Sequence, residues 1–293
     1  MHALARDLDH VGTLVADLDA GRVAFERLGF ALAPRSQHRA ALAPGQPPQL
    51  LGQGNHCAML EQGYLEVLGV VDRSLPVPVQ RYLDRYAGPH IFAFRPSSQE
   101  AASALAASGA PLDPPKDLGR EVPYGPQGLQ TRRVDFRTFR FHAASFPEGT
   151  FFFTQHLSRD AMWQPHLLVH PNGAKRLARG YLFATDPAET AHRMGRLLGV
   201  QARDDGQGGS CFAFEASELH VLSVDGMRHR FPGIPVPPTS RPVGFAIAVS
   251  SIDAAAALLE GHGIAFQRAE SGGLAVAPGD ACGNILHFIP AAS

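Results

Sequence analysis

Short apolar runs alternate along the chain with segments that have the pattern of helices, and the arrangement recurs four times. Each helix-like segment begins at Asp, Ser or Thr, whose side-chain oxygen can accept hydrogen bonds from the first turn. Each ends at a glycine, the residue that most easily turns left-handed at a helix end. The four apolar runs, each predicted to be a strand followed by a helix, are His10–Ala16, His90–Arg95, Tyr181–Ala184 and Phe245–Val249.

A second strand-rich region lies behind every predicted helix and closes on a short apolar strand. The closing strands are Gly63–Val70, Gly149–His156, Ser217–Val224 and Gly283–Pro290. The repeat predicts an α+β protein of four modules, each a strand and a helix followed by further strands. We predict an N-terminal domain over residues 1–157, a linker over 158–178 and a C-terminal domain over 179–293.

Composition limits the class of protein. Apolar residues make up 45% of the chain and charged residues 18%, as in globular proteins. The net charge of -1 gives no basic field for nucleic acid or an anionic membrane, so we expect neither partner. The first residues lack the apolar core of a signal peptide, which favours the cytoplasm. The three cysteines lie far apart and are expected to be free thiols.

Two phrases of the first module, LDHVGTLVADLDAG and GYLEVLGV, resemble the vicinal oxygen chelate superfamily, which includes glyoxalase I and extradiol dioxygenases. The phrases WQPHLLVHPNGA and FFFTQH resemble its glyoxalase-like domain branch. This resemblance implies four βαβββ modules paired into two curled-sheet cups. It also implies a divalent metal ion (Fe, Mn, Ni or Zn), held by side chains from the first and last strands of paired modules.

Counting from the predicted helix starts and closing strands places one residue of each strand at a ligand position. The first-strand positions hold His10, His90, Arg179 and Gly244, and the last-strand positions hold Glu66, Gln155, His220 and His287. If the first two modules pair, the ligands are His10, Glu66, His90 and Gln155. If the first module pairs with the fourth, His287 joins His10 and Glu66 instead. Because Arg179 and Gly244 are not ligands, we expect the C-terminal modules to be mainly structural.

Other residues are candidates for contact with a substrate. His56 precedes the Glu66 strand and is a candidate acid or base, although a solvated loop histidine is an equal alternative. Alternation along a strand predicts that Phe151 and Phe153 share a face with Gln155. Arg133, in the arginine-rich run TRRVDFRTFRF, is a candidate to grip a substrate carboxylate, although most of that run is expected to face solvent.

The favoured function is a glyoxalase-like metalloenzyme that chelates adjacent oxygens of a small substrate, with Glu66 moving a proton in an isomerase- or lyase-type reaction. One alternative is an extradiol-type dioxygenase, which also uses two histidines and a glutamate. The other is a non-catalytic protein that sequesters a small ligand. The substrate is expected to be a small molecule, and the sequence leaves a monomer and a homodimer open.

Overall fold

The computed structural model describes residues 4–43, 45–107, 109–269 and 272–291. Strands from the first half form one mixed eight-stranded sheet with the order β2-β3-β4-β1-β5-β8-β7-β6. Its strands are β1 (Ala5–Val15), β2 (Ser36–Ala40), β3 (Gln49–Met59), β4 (Tyr64–Val70), β5 (Gly88–Pro96), β6 (Lys116–Tyr124), β7 (Gln130–Arg140) and β8 (Thr150–His156).

The second half repeats the same topology. Its eight-stranded sheet has the order β10-β11-β12-β9-β13-β16-β15-β14. Its strands are β9 (Ala174–Phe183), β10 (Arg203–Asp204), β11 (Gly209–Ala213), β12 (Glu218–Leu222), β13 (Arg241–Val249), β14 (Phe266–Arg268), β15 (Leu274–Val276) and β16 (Ile285–Pro290). Because β9 starts inside the segment predicted as a linker, residues 158–178 are partly sheet. The division into domains stays a prediction.

Helices connect the strands. They are α1 (Leu18–Arg27), α2 (Gln80–Leu83), α3 (Gln99–Ala107), α4 (Arg159–Met162), α5 (Pro187–Leu198), α6 (Val224–Arg230) and α7 (Ile252–Gly261). The N-caps follow the sequence pattern, since the side chains of Asp17, Asp186 and Ser251 accept from backbone N–H groups of the first turns. Among the described residues, no helix has both the length and the apolar character needed to span a membrane.

Strand pairing decides which modules belong together. In the first sheet β1 runs antiparallel to β5, and in the second β9 runs antiparallel to β13. The first module therefore pairs with the second and the third with the fourth. This confirms the prediction of paired βαβββ modules in two curled sheets and overturns the alternative pairing of the first module with the fourth.

The two faces of each sheet have different surroundings. One face packs against α1, α5 and α7 and against the other sheet in a shared apolar core. The opposite face, here called the inner face, encloses a separate cluster of side chains in each half. We call the space enclosed by the first sheet the N-terminal cup and that enclosed by the second sheet the C-terminal cup. Short helices α2 and α4 pack onto the inner face of the first sheet.

Candidate active site in the N-terminal cup

His10 lies on the inner face of β1 and is almost fully buried. Its ring stacks on Tyr64 with centroids 4.3 Å apart, and the edge of Phe152 lies 5.4 Å away. Nδ1 of His10 is 2.8 Å from a carboxylate oxygen of Asp9. The β1–β5 ladder is irregular between Leu8 and His10, and such a bulge can bring consecutive side chains together. His10 is therefore paired with a buried carboxylate on its own strand.

The Asp9 carboxylate also binds a histidine from the second module. Nε2 of His156, at the end of β8, lies 3.0 Å from the same oxygen that contacts His10. Burial acts to raise the pKa of Asp9, but the two imidazoles outweigh it and hold that pKa well below its usual value. The edge of Trp163 packs against His156 with ring centroids 4.9 Å apart. Asp9 thus joins the two modules through one charged cluster.

Glu66 projects from β4 onto the same inner face as His10. The parallel ladder aligns His10 with Tyr64 and Gly12 with Glu66, so the two candidate ligands share a face. Glu66 is half-buried, and one of its carboxylate oxygens accepts a hydrogen bond from the Asn55 amide. The two residues have different hydrogen-bond partners: His10 contacts Asp9, and Glu66 contacts Asn55.

Positive charge lies close to the Glu66 carboxylate. Nη1 of Arg120, on β6, donates to the side-chain oxygen of Asn55 at 3.3 Å. His38, on β2, is close enough that Glu66 acts to raise its pKa and Arg120 to lower it, although burial is the largest effect and leaves that pKa lowered. Arg120 and His38 were not predicted as site residues because they lie on β6 and β2, the edge strands of the sheet. Asn55 could have been found, since it alternates with Cys57 on the strand before Glu66.

A cleft of about 60 Å³ opens beside this cluster. Its walls include Asn55, which contacts Glu66, and Arg120, which contacts Asn55, together with the apolar side chains of Met59, Val122 and Met162. Apolar walls with a few polar groups are the lining that small-molecule sites use, but the volume of this cleft has room only for a small group. The cleft can therefore take a small group with an oxygen or a negative charge directed at Arg120.

The structure does not bring His90 into this cup. His90 lies on the opposite face of β5, where its ring stacks on Tyr86 with centroids 3.8 Å apart and Nε2 lies 2.9 Å from the Tyr86 carbonyl oxygen. The helix after β5 is capped by Ser98, which accepts from Ala101 N–H, and not by the preceding serine. Counting from Ser98 puts Ile91 at the position equivalent to His10. The predicted register was therefore wrong by one residue.

Gln155 and the two phenylalanines also face away from the cup. Phe151 and Phe153 lie in the shared apolar core, and Gln155 alternates with them on that face of β8. The Gln155 amide nitrogen is buried without a hydrogen-bond partner among the described residues. When the glycines that begin the closing strands are aligned, Phe152 of the second module takes the position that Glu66 takes in the first. The predicted ligand and substrate roles of these residues are not supported by their positions.

Three further candidates lie outside the N-terminal cup. His56 points to the face of β3 opposite Asn55 and Cys57, and its Nδ1 lies 2.8 Å from the Ala33 carbonyl oxygen. Arg133 is exposed and pairs with Asp135 at 2.9 Å. His287 belongs to the second sheet, so it cannot join His10 and Glu66.

The C-terminal cup is filled by its own side chains, among them Tyr181, Met227 and Phe231. The Tyr181 hydroxyl lies 2.9 Å from Nδ1 of His287. At Gly244 a Cβ atom would overlap the carbonyl oxygen of Ile285, so no ligand side chain fits at that position. This close packing leaves the N-terminal cup, with its cleft, as the better candidate for a substrate site.

Comparison with known proteins agrees with this architecture. A family model described as a glyoxalase-like domain matches residues 8–198, more than half of the chain. The chain belongs to the glyoxalase-like domain family. This confirms the resemblance to the vicinal oxygen chelate superfamily. A search of curated proteins found no match.

Several solved structures share the fold of this family member. A hypothetical protein from Staphylococcus aureus is 12% identical, with a TM-score of 0.66 over 97% of this chain and 99% of that one. A Mn(II)-bound glyoxalase from Novosphingobium aromaticivorans is 11% identical, with a TM-score of 0.58 over 98% and 82%. A mutant 4-hydroxymandelate synthase from Streptomyces coelicolor is 12% identical, with a TM-score of 0.59 over 99% and 94%. At these identities the likeness shows the fold alone.

The donor set of the N-terminal cup does not fit a complete catalytic metal centre. Such centres usually have three protein ligands and an open position. Of the four equivalent inner-face positions, His10 and Glu66 offer donor atoms, whereas Ile91 and Phe152 offer only carbon. Among the described residues, the group of three potential ligands whose donor atoms lie within 4.8 Å of one another is elsewhere, in the C-terminal half.

Proposed function

We propose that this chain is a glyoxalase-like enzyme that moves a proton on a small oxygen-rich substrate in the N-terminal cup, in an isomerase- or lyase-type reaction. The observation that carries the proposal is the half-buried Glu66 carboxylate, which accepts a hydrogen bond from Asn55, a residue that lines the cleft together with Arg120. A carboxylate held near a substrate carbon is suited to general base catalysis.

In the proposed reaction, the Glu66 carboxylate accepts a carbon-bound proton from the substrate, and the positive charge of Arg120 stabilises the anion that forms. The substrate loses a proton from a carbon next to a carbonyl group to a Glu66 oxygen, and the electron pair of that C–H bond moves onto the carbonyl oxygen. The resulting oxyanion is stabilised by the Arg120 guanidinium. In an isomerisation, the hydroxyl proton of the enediolate passes to the oxyanion, and Glu66 returns the carbon-derived proton to the former carbonyl carbon as the second carbonyl forms. In a lyase reaction, the first carbonyl re-forms, a C=C bond replaces the bond to a leaving group on the β-carbon, and Glu66 gives its proton to that leaving group.

His10 supports the other side of the cup. If Nδ1 carries the proton that Asp9 accepts, the imidazole is held in one tautomer and Nε2 is left as an acceptor. Because Asp9 is buried and held by a second imidazole, the His10 ring has a single orientation against Tyr64. We assign His10 a structural role in the wall of the cup, where its ring packs on Tyr64. No step of this mechanism passes through a metal ion.

The test measures proton exchange directly. The protein is incubated in D₂O with candidate α-hydroxycarbonyl compounds and with the hemithioacetals that methylglyoxal forms with thiols, and loss of the substrate C–H signal is followed by NMR. Glu66→Gln should slow exchange by roughly 10²–10⁴-fold, the usual contribution of a general base. Glu61→Gln is the matched control, because Glu61 is exposed and pairs with Lys175 outside the cup.

Exchange that persists unchanged in Glu66→Gln would overturn the assignment of the base. Saturable binding of an aromatic ligand without any exchange would favour the sequestration protein. Oxygen uptake with catechols would favour the dioxygenase.

A further inference from the structure

A second polar cluster lies in the C-terminal half, on the strand pair β11–β12. Cys211 is directly opposite His220 in this antiparallel ladder, and Glu218 lies two residues before His220 on the same face. The Cys211 sulfur is 3.9 Å from Nε2 of His220, and a Glu218 carboxylate oxygen is 3.1 Å from the same nitrogen. Three different donor types thus converge on one point.

The other side of the His220 ring is also occupied. Nδ1 lies 3.4 Å from a carboxylate oxygen of Asp205. Asp205 is held in turn by the backbone N–H groups of Gln207 and Gly209 and by Arg230 at 2.9 Å. A carboxylate on the far nitrogen of a histidine is the usual outer partner of a metal-bound imidazole.

Both ring nitrogens of His220 face carboxylate oxygens, so a neutral ring with one N–H leaves the lone pair of the other nitrogen facing an acceptor. If Nδ1–H donates to Asp205, the Nε2 lone pair faces the lone pairs of the Glu218 carboxylate at 3.1 Å. Two acceptors at that distance repel each other unless a positive charge lies between them. A proton or a metal ion can supply that charge, and the nearby Cys211 sulfur is a ligand that favours the metal.

We propose that Cys211, Glu218 and His220 bind a divalent metal ion, with Zn(II) the best match. Thiolate, imidazole and carboxylate together suit this borderline-soft ion. Binding replaces the thiol proton of Cys211, which is released to solvent as the sulfur–metal bond forms. Because Glu218 is half-exposed whereas Cys211 and His220 are buried, water has access to the site from one side.

Two arginines also contact the cluster, Arg179 at Glu218 and Arg203 at both Glu218 and Cys211. Nε of Arg179 donates to a Glu218 oxygen at 2.9 Å, and Arg203 lies 3.8 Å from the other oxygen. Carboxylate oxygens have further lone pairs for a metal. The site lies on a different sheet from Glu66, so it neither depends on the proposed function nor extends it.

The test is metal analysis of the full chain. The protein is stripped with a chelator, loaded with Zn(II) or Co(II), and desalted. We expect stoichiometric metal and, with Co(II), the absorption of a thiolate–cobalt bond. Cys211→Ser should abolish that absorption, and His220→Gln should lose the metal. Cys282→Ser should retain both, because Cys282 lies outside the cluster. Asp205→Asn should weaken metal affinity by roughly 10–100-fold, the usual effect of removing such an outer partner.

Circular dichroism on each variant checks that the fold persists, and Asp205→Asn keeps all three proposed ligands if Cys211→Ser fails to fold. Zn(II) retained by folded Cys211→Ser and His220→Gln would overturn the proposal. So would a wild-type protein that takes up no metal and shows, by NMR, a doubly protonated His220 ring. Metal lost only in His10→Ala and Glu66→Gln would assign it to the N-terminal cup instead.

Discussion

Acid should destabilise this protein through His90, whose surroundings strongly disfavour the charged imidazole. His90 is buried against Tyr86. Burial lowers the pKa of His90 from 6.5 to about 4, against the effect of its hydrogen bond to the Tyr86 carbonyl and with smaller contributions from Arg85 and Arg241. The folded state therefore keeps this imidazole neutral at pH values where the unfolded chain protonates it.

The direction and size of the pH effect follow from the difference between the His90 pKa in the folded and unfolded states. Below pH 6.5 the unfolded chain takes up a proton at His90, while the folded protein does so only near pH 4. Between those values the unfolded state binds more protons, so the free energy of unfolding falls as pH falls. Each pKa unit corresponds to roughly 1.4 kcal/mol, so the contribution of His90 is about 3 kcal/mol across this window.

Urea unfolding of the wild type and His90→Gln, measured from neutral pH down to about 4.5, isolates the contribution of His90 to the free energy of unfolding. At neutral pH the variant should be the less stable protein, because it loses the ring stacked on Tyr86. The difference should then shrink by roughly 2–3 kcal/mol as pH falls, because only the wild type has this acid-sensitive group. Buried His287 is present in both proteins and cancels. His166→Gln, at an exposed site, is the control. A difference that stays constant with pH would refute the reasoning.

Three further predictions test the fold and the cup. Asp9→Asn removes the charge that two buried imidazoles share and should lower the free energy of unfolding by about 2 kcal/mol in urea; an unchanged midpoint would contradict the paired cluster. Gly199→Ala places a side chain at a φ of 64° and should cost about 1 kcal/mol in thermal unfolding, which a neutral result would contradict. Ile91→His adds a third donor beside His10 and Glu66 and should create divalent-metal binding detectable by calorimetry. If the Ile91→His, Glu66→Gln double variant still binds the metal, Glu66 is not a ligand beside position 91, and the strand register described here is contradicted.

Much of the architecture could be predicted because helix caps are local. Asp17, Asp186 and Ser251 all cap as the sequence pattern indicates, so counting back from them locates the first-strand positions of three modules. The ladder then aligns Glu66 and His10 on one face, as expected from strand alternation. Local chemistry is therefore sufficient to predict the first-strand position wherever only one residue can cap the following helix.

The second module shows where such reasoning stops. Two serines precede its helix, and only Ser98 accepts the capping hydrogen bond, so counting from the wrong one moves every side chain to the opposite face. In β8 the run of phenylalanines has apolar side chains on both faces, so alternation cannot distinguish them. Arg120 and His38 reach the Glu66 cluster from strands near the edges of the sheet, and their registers depend on long-range pairing that no local pattern encodes.

In both halves a buried histidine contacts a buried carboxylate, but in only one half does this contact join two modules. In the C-terminal half, Asp205, Glu218, His220 and the arginines that contact them all belong to the third module. In the N-terminal half, Asp9 binds His10 from its own module and His156 from the next. The orientation of His10 therefore depends on correct pairing of two modules. Any change that separates β1 from β8 should disturb the cup beside Glu66 before it disturbs the C-terminal cluster.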